Sequence, residues 1–500
     1  MSTAIHNVPA ATESKTGSGL KLTPKIHPLI EEFLSSPKIF ELTEALGSPL
    51  NMLFPELVGE NLQSFRASME KHKLRGRVYF AHKANRSDAL ARELASLQAY
   101  IDVSSINELR HALGSGFAAQ RIQATGPKNR EFLALSLMHD ITISIDSNWE
   151  LEEILKLRRE FACEHATKIL LRVSGFKMAH SQHSGKASRF GIPFDEVESV
   201  FNFLQDAGDN FRLLGFAFHL DTVSVAEKAF AIEACLELFE DSLDRGFDPH
   251  VLNLGGGFKV NYLANAQDWH AYTLALRESV IGSRAPITWQ NNSFGLLPDK
   301  GSLRGTFNTY SYYDSVTGAS FLEEMLAHEV ANRGDAQVSS VLRDNGIEVW
   351  IEPGRSMLDQ TGITVARVNS LRKSSQGETM VCLNMKRQDL CFLDQEMFVD
   401  PIVLSQHPEP QSEPDSAHPV YFAGNLCLES DLICRHQTFL PALPKPGDLV
   451  VFINTAGYFM DFSASQSIMQ LSARKVAIFK RNGQFAWTAD DQYYPWLSKA

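Results

Sequence analysis

The sequence has few cysteines, no apolar run long enough to span a membrane, and no excess of positive charge. Its six cysteines include no Cys-x-x-Cys pair, which fits neither a disulfide framework nor a zinc site. Lys and Arg number 47 against 59 Asp and Glu, giving a formal net charge of −12, whereas nucleic-acid binding needs excess basic residues. We therefore expect a cytoplasmic protein with neither a nucleic-acid nor a membrane partner.

The chain of 500 residues is long enough for two sizeable hydrophobic cores. Its first twenty or so residues are rich in Ser, Thr, Ala and Gly, include acidic Glu13, and lack the apolar run of a signal peptide. We expect residues 1–22 to form a flexible tail, with a transit peptide as the less favoured alternative.

Between Arg77 and Arg355, short apolar runs alternate with amphipathic segments. Nearly continuous apolar character is typical of parallel strands covered on both faces. Ser105, Ser147 and Ser224 are each followed three residues later by Glu, the pattern of a capping box at a helix start. Repeated strand–helix units predict a parallel sheet, and eight of them predict a closed (β/α)8 barrel of the TIM type; an open doubly wound sheet is the alternative. The predicted strands are Val78–Ala81, Tyr100–Val103, Arg121–Ala124, Ile141–Ile145, Ile169–Val173, Leu213–Phe218, Val251–Leu254 and Glu348–Ile351.

After Arg355 the pattern changes to strands without regular intervening helices, such as Ile363–Val368, Leu449–Ile453 and Lys475–Phe479. This half of the chain predicts a mostly β C-terminal domain. The stretch Asn291–Tyr313, rich in Asn, Gly, Ser and Tyr, has the composition of an inserted loop. The predicted division is a tail (1–22), a segment joining the β domain (23–53), a barrel (54–355) with an insertion near 290–335, and the β domain (356–500).

Polar residues collect at the carboxyl ends of the predicted strands, where barrel enzymes place their active sites. Lys83 ends the first strand, and partial desolvation is expected to lower its pKa and free the amine to attack a carbonyl. Gly255, Gly256 and Gly257 end the seventh strand and would let backbone N–H groups approach a phosphate. Taken singly, Lys83 is better explained as a surface lysine, and the glycine triplet is equally well explained as a tight turn.

Other candidates follow the remaining strands. Glu352 and Arg355 end the eighth strand, where Arg355 could bind phosphate and Glu352 could keep a ring nitrogen protonated. His219 ends the sixth strand, although a lone histidine near apolar residues is more often a core residue. His180 and His183 have His-x-x-His spacing but no third ligand, so no metal site is predicted.

Several motifs, in order, resemble those of the fold-type III pyridoxal 5′-phosphate (PLP) dependent decarboxylases, the family of diaminopimelate and ornithine decarboxylase. The resemblance runs from about Gly47 to about Ser467. The motifs are Tyr79-Phe-Ala-His-Lys-Ala-Asn85, Tyr100-Ile-Asp-Val-Ser-Ser105 with Glu108, Ser188-Arg-Phe-Gly-Ile192, Leu254-Gly-Gly-Gly-Phe258, Glu352-Pro-Gly-Arg355, Gly424-Asn-Leu-Cys-Leu-Glu-Ser-Asp431 and Thr455-Ala-Gly-Tyr458.

The resemblance implies a role for each site residue. Lys83 would carry PLP as a Schiff base, His219 would stack on its ring, and Glu352 would pair with its nitrogen. Cys427 would be catalytic and, with Tyr458, would come from the partner subunit of a homodimer with shared active sites. The remaining implied cofactor contacts are Asp102, Thr222, Gly255, Gly256, Gly257, Arg355 and Tyr458, and the substrate contacts inferred more loosely are Arg172, Arg387, Glu429 and Asp431.

The family resemblance predicts decarboxylation of an amino acid, with PLP as the electron sink. Racemases on this barrel usually place Arg at the ring nitrogen, so Glu352 favours decarboxylation over the alternative of a PLP racemase or epimerase. A non-catalytic regulatory homologue is a third hypothesis, against which the retained cofactor residues argue. Leu428 departs from the family, because an acidic residue that contacts the distal amine of the substrate usually follows the cysteine. We expect a substrate like diaminopimelate, ornithine or lysine, or a specialised-metabolite amino acid.

Overall fold

The computed structural model describes residues 19–177, 188–220, 222–330, 333–406 and 417–498. None of the helices in these ranges combines the length and apolar character needed to cross a bilayer. The helices are Pro28–Leu34, Lys38–Leu46, Pro55–Lys71, Asp88–Ser96, Ile106–Gly114, Arg130–Met138, Asn148–Glu160, Val197–Ala207, Val225–Asp244, Ala266–Val280, Gly318–Ala327 and Val338–Asp344.

Eight parallel strands form a closed barrel, as predicted, which excludes the open sheet. In chain order, the first to eighth barrel strands are Gly76–Ala81, Tyr100–Val103, Ile122–Ala124, Thr142–Ile145, Thr167–Ser174, Phe211–Ala217, Val251–Asn253 and Glu348–Ile351. The eighth strand pairs with the first, and pairing of the fourth with the fifth completes the ring. All eight sequence-predicted strands are therefore confirmed, and no strand end differs from its predicted position by more than two residues.

The barrel forms because its strands are apolar on both faces and its helices start at capping residues. Ile101, Val103 and Ile143 are fully buried. Ser105 and Ser224 accept hydrogen bonds from the N–H groups three residues on, as predicted. The capping box predicted at Ser147 is wrong, because its side chain makes no capping bond.

Glu150 takes part in a buried network beside this helix start. Its carboxylate accepts hydrogen bonds from the backbone N–H groups of Asp146 and Lys128, both at 2.9 Å. The same carboxylate lies 3.0 Å from the buried ammonium of Lys128. A charge buried this deeply needs an opposite charge beside it, so the ion pair with Lys128 stabilises this carboxylate.

A second sheet of nine strands forms the mostly β domain. Leu50–Leu53 pairs antiparallel with Gly362–Lys373 and parallel with Arg474–Arg481, so chain from before the barrel joins this sheet. The sequence analysis did not predict the two helices that precede this strand. Outside the barrel, the strands are Leu50–Leu53, Ile192–Pro193, Leu297–Asp299, Ser302–Arg304, Glu329–Val330, Ala336–Gln337, Gly362–Lys373, Thr379–Leu383, Ile402–Leu404, His418–Ala423, Thr438–Leu440, Leu449–Ile453, Arg474–Arg481 and Gln484–Ala489.

The segment Asn291–Tyr313, predicted as a loop, contains a short hairpin of Leu297–Asp299 and Ser302–Arg304. Its aromatic residues pack against the β domain, with the Tyr312 ring 5.6 Å from that of Phe398. The Tyr312 hydroxyl donates a hydrogen bond of 2.6 Å to the backbone oxygen of Glu396. The insertion is therefore a fixed connection between the barrel and the β domain.

Glu396 anchors this connection through a buried ion-pair network. Its carboxylate accepts from His436 Nδ1 at 2.7 Å and from Arg435 Nε at 3.0 Å. Burial by itself would raise the pKa of Glu396, but the hydrogen bond and charge of His436 and the charge of Arg435 outweigh burial and lower the pKa to about 2. The network thus requires an ionised Glu396.

Glu396→Gln is expected to lower the free energy of unfolding at neutral pH by about 3 kcal/mol, because it leaves buried cationic partners without their carboxylate. Since the folded-state pKa lies below the usual 4.5, the stabilisation is present above pH 4.5 and is lost as pH falls toward 2. Denaturant unfolding across this range measures it. Glu44→Gln, which removes an exposed partner of Arg367, is the control and should change little; equal losses for both variants would contradict the prediction.

Candidate active site

Lys83 lies just beyond the carboxyl end of the first barrel strand. The strand ends in a short 3-10 turn, His82–Ala84. His82 and Ala84 are buried, whereas the Lys83 side chain is exposed. Lys83 is therefore accessible at the barrel end where enzymes of this architecture carry out chemistry.

The charge environment of Lys83 differs from the sequence-based expectation. Burial by itself would lower the pKa of the amine, but its interactions with the Tyr458 hydroxyl and with the carboxyl groups of Asp102 and Glu352 outweigh this and raise it. The expected lowering of the Lys83 pKa is therefore wrong. The same interactions show that these three groups lie close enough to Lys83 to stabilise its positive charge.

Glu352 is fixed by two amide side chains. Asn253 Nδ2 donates to Glu352 Oε1 at 2.7 Å, and Gln123 Nε2 donates to the same oxygen at 3.1 Å. Both amides are fully buried and lie near the ends of barrel strands. The sequence analysis missed Gln123 and Asn253, although a polar residue within a short, otherwise apolar barrel strand is a detectable signal.

The glycine triplet leaves no room for side chains. A Cβ on Gly255 would lie 2.5 Å from the Phe218 oxygen, and one on Gly256 would lie 2.7 Å from the Glu352 oxygen. Gly255 and Gly257 also have φ values of +65° and +86°, which favour glycine. Gly257 is exposed, whereas Gly255 and Gly256 are buried, so the triplet forms a cradle at which the Gly257 backbone can approach an anion.

His219 lies against this cradle. The Gly256 N–H donates to His219 Nδ1 at 3.2 Å, which places the ring proton on Nε2. Burial, aided by the positive charges of Lys83 and Arg172, holds the pKa of His219 well below its usual value. The imidazole is therefore neutral at neutral pH and offers a flat face about one-third exposed.

Arg355 lies among tyrosine rings at the same barrel end. Its Nη1 donates to the Tyr262 hydroxyl at 2.8 Å, and its guanidinium carbon lies 4.4 Å from the centre of the Tyr310 ring. Tyr262 and Tyr310 belong to the extra chain after the seventh strand. That chain therefore orients the cation, which is a role the sequence did not reveal.

Tyr458 comes from the same chain as Lys83. Its backbone N–H donates to the Ala84 oxygen at 2.8 Å, and its hydroxyl lies 2.7 Å from where a Cβ on Gly354 would stand. Its ring centre is 5.2 Å from the Arg355 guanidinium carbon. The expectation that the partner subunit supplies Tyr458 is therefore wrong, because the turn after Leu449–Ile453 returns it to its own barrel.

Asp102 and Thr222 also reach this end of the barrel. Asp102 is buried, and its Oδ1 has no hydrogen-bond partner among the described residues. Burial and the nearby Glu352 raise the pKa of Asp102 well above its usual value. The backbone oxygen of Thr222 lies 3.1 Å from where a Cβ on Gly257 would stand, so Thr222 borders the cradle.

Arg172 is held at the mouth of the barrel by Asp146. Its Nη1 donates to Asp146 Oδ1 at 3.1 Å, and the Gly191 N–H donates to the same oxygen at 3.1 Å. The guanidinium carbon also lies 5.0 Å from the Phe190 ring centre. Asp146 thus links Gly191 of the Ser188–Ile192 motif to Arg172, whose positive charge tends to lower the pKa of Lys83.

The Cys427 loop lies in the β domain. Cys427 and Glu429 are exposed, but Asp431 is buried and its carboxylate accepts from the backbone N–H groups of Arg387 and Leu426. Arg387 in turn donates to the Leu432 oxygen. Asp431 and Arg387 therefore brace the loop, and the expectation that they contact substrate is not supported by their positions. Substrate contact by Glu429 stays a prediction.

No cluster of potential metal ligands occurs in the part of the chain that the structure describes. His180 and His183, which have the His-x-x-His spacing, lie outside the described residues.

Comparison with known proteins relates the barrel to a known domain. Residues 57–287 match the family model for the pyridoxal-binding domain of pyridoxal-dependent decarboxylases. This part of the chain therefore carries the pyridoxal-binding domain of that decarboxylase family. PLP is the cofactor of this decarboxylase family, and its members are amino-acid carboxy-lyases. Glu352, Arg355, Cys427 and Tyr458 lie beyond the matched residues.

Relatives of this decarboxylase family differ in how much of the chain they match. The uncharacterized protein y4yA of Sinorhizobium fredii is 29% identical over 453 residues, covering 89% of this chain and 91% of the relative. Diaminopimelate decarboxylase of Bacillus subtilis is 29% identical over 283 residues, covering 52% and 63%. The structure of diaminopimelate decarboxylase from Helicobacter pylori complexed with L-lysine has a TM-score of 0.65 at 16% identity, covering 89% and 95%; this likeness shows the shared fold.

Proposed function

We propose that this chain removes the α-carboxylate of an amino acid with PLP held covalently by Lys83. The observation that carries the proposal is that Lys83 shares one end of the barrel with two features of different chemistry. The first feature is the Glu352 carboxylate, fixed by Asn253 and Gln123. The second is the glycine cradle together with Arg355, which suits a phosphate.

The residues present fit the cofactor. The Gly255–Gly257 cradle, Arg355 and Tyr458 would hold its phosphate, and the neutral His219 ring would lie against its flat face. Asp102 Oδ1, buried and without a partner among the described residues, could accept a hydrogen bond from a polar group of the cofactor. When bound, PLP supplies an electron sink for the electrons left at Cα by the departing carboxylate.

Glu352 favours decarboxylation because a fixed carboxylate stabilises positive charge at the ring nitrogen. Its two amide neighbours donate to one carboxylate oxygen, Oε1, and leave Oε2 for another donor. A preorganised charge of this kind stabilises a transition state without rearrangement. A racemase, which removes and returns the Cα proton without losing CO2, would be accelerated less by so strong an electron sink.

The substrate proposal rests on the Cys427 loop. We propose that Cys427 from a second copy of the chain returns a proton to Cα, since this thiol is exposed on the β domain. Beside it, Leu428 is also exposed and apolar. Diaminopimelate, ornithine and lysine are candidates, together with amino acids whose distal group carries no charge, which Leu428 would suit better.

A panel of L- and D-amino acids tests the proposed function. We expect at least one to shift the absorbance of the bound cofactor and to release CO2. Incorporation of solvent deuterium at Cα with the carboxylate retained would instead indicate a racemase. A purified protein that never takes up PLP would overturn the proposal altogether.

Sharing of Cys427 between subunits predicts complementation between two inactive variants. An equal mixture of Lys83→Ala and Cys427→Ala chains should recover about one quarter of wild-type activity, since random pairing gives half mixed dimers with one intact site each. Each variant alone is the control. If the mixture, after dissociation and reassociation, stays as inactive as its components, Cys427 does not act across a subunit interface.

A further inference from the structure

Lys228 is a buried lysine that touches the glycine cradle from behind. It lies in the helix Val225–Asp244, which follows the sixth barrel strand, and its side chain is fully buried. Its Nζ donates a hydrogen bond of 2.7 Å to the Gly256 oxygen. The Nζ also lies 3.5 Å from where a Cβ on Gly257 would stand. No local pattern marks this contact, because Lys228 is one charged residue among many on an amphipathic helix.

In the part of the chain that the structure describes, the ammonium of Lys228 has no carboxylate partner of the kind that a buried charge normally has. Among the described residues, no carboxylate lies within ion-pair distance of its Nζ; the nearest ring, that of Phe258, is centred 5.9 Å away. Burial lowers the pKa of Lys228 to about 8, and the more distant Glu352 only partly opposes this. Buried charges are costly unless compensated. An anion in the cradle would supply the missing negative charge.

The hydrogen bond from Lys228 also sets the direction of the next backbone N–H. In a trans peptide the carbonyl and the following N–H point in opposite directions. Because the Gly256 carbonyl points at Lys228, the Gly257 N–H points away from the helix. This N–H has no acceptor among the described residues, whereas those of Gly255 and Gly256 are bonded to Asn253 and His219.

We propose that Lys228 is a positioning residue for the cofactor phosphate, holding the Gly256–Gly257 peptide so that the Gly257 N–H donates to the anion and adding one positive charge behind it. The inference rests on the proposed function, since it takes the anion to be the phosphate of PLP. Lys228 itself contacts the peptide, so its effect on the phosphate passes through the cradle.

The test compares binding of PLP with binding of pyridoxal, which has the same aldehyde and ring but no phosphate. Both are titrated into the full-length protein, cleared of cofactor, by their visible absorbance. Lys228→Met should weaken PLP binding about 10- to 100-fold, as expected for loss of one charge-assisted contact, and leave pyridoxal binding unchanged. Lys228→Gln keeps a donor for the Gly256 oxygen, so its loss should be smaller.

Lys259→Met is the matched control. This substitution also removes one lysine charge, two residues beyond the glycine triplet, where Lys259 pairs with Asp314 at 3.1 Å. The variant should bind PLP and pyridoxal like the wild-type protein. A Lys228 variant that melts like wild type and binds PLP equally well would overturn the inference. Equal losses for PLP and pyridoxal would also overturn it, since the phosphate would then be irrelevant. Failure of the wild-type protein to bind PLP would instead reject the proposed function.

Discussion

Lys83→Ala should eliminate both the visible absorbance of bound PLP and the decarboxylation of any substrate found. Loss of the covalent nucleophile is expected to reduce activity by at least about 10³-fold. Because Lys83 is exposed and makes no ion pair among the described residues, the melting temperature should change little. Absorbance spectra, CO2 release and thermal unfolding of the same preparation measure the three effects.

Lys168→Ala is the control for this substitution. Lys168 lies near the start of the fifth barrel strand, at the opposite end of the barrel, where it pairs with Asp140. Its removal should leave absorbance and activity intact. If Lys83→Ala were as active as Lys168→Ala, the reaction would not depend on the amine of Lys83.

Glu352→Gln should reduce decarboxylation by about 10²- to 10³-fold, the loss typical for a preorganised charge that stabilises a transition state. The variant keeps the size of the side chain and an oxygen that Asn253 and Gln123 can contact. PLP should therefore still bind, with an altered absorbance because its ring nitrogen loses the carboxylate. Stopped-time CO2 assays at saturating substrate, together with PLP titration, separate the two effects.

Glu348→Gln is matched to this variant, because Glu348 begins the same strand that Glu352 follows. It pairs with Arg77 at the far end of the barrel and should not affect catalysis. If Glu352→Gln decarboxylates as fast as Glu348→Gln, the carboxylate at the ring nitrogen is not what drives the reaction. An increase in Cα proton exchange without CO2 loss would point to the same conclusion.

The barrel could be predicted because its signal is local. Each strand is a short, mostly apolar run, such as Ile169–Leu171, whose burial on both faces leaves little choice of structure. Helix starts at Ser105 and Ser224 could be predicted because the capping side chain lies within one turn of its partner. The same spacing at Ser147 does not give a capping bond, so local spacing alone does not decide whether a box forms.

The candidate site could be predicted only in part, since several of its contacts join residues far apart in the chain. Lys83, Glu352 and the glycine triplet were found because each ends a strand. The bond from Arg355 to Tyr262 crosses 93 positions, and no local pattern marks it. Tyr458 was assigned to the wrong subunit because sequence order cannot show that the chain returns to its own barrel.

The most direct test of the central claim is to locate the covalent bond. PLP-loaded protein is reduced with borohydride, digested, and its peptides are mapped by mass spectrometry. The account predicts a pyridoxyl group on the amine of Lys83, alone among the lysines. A label on Lys228 or any other lysine, with Lys83 unmodified, would contradict it.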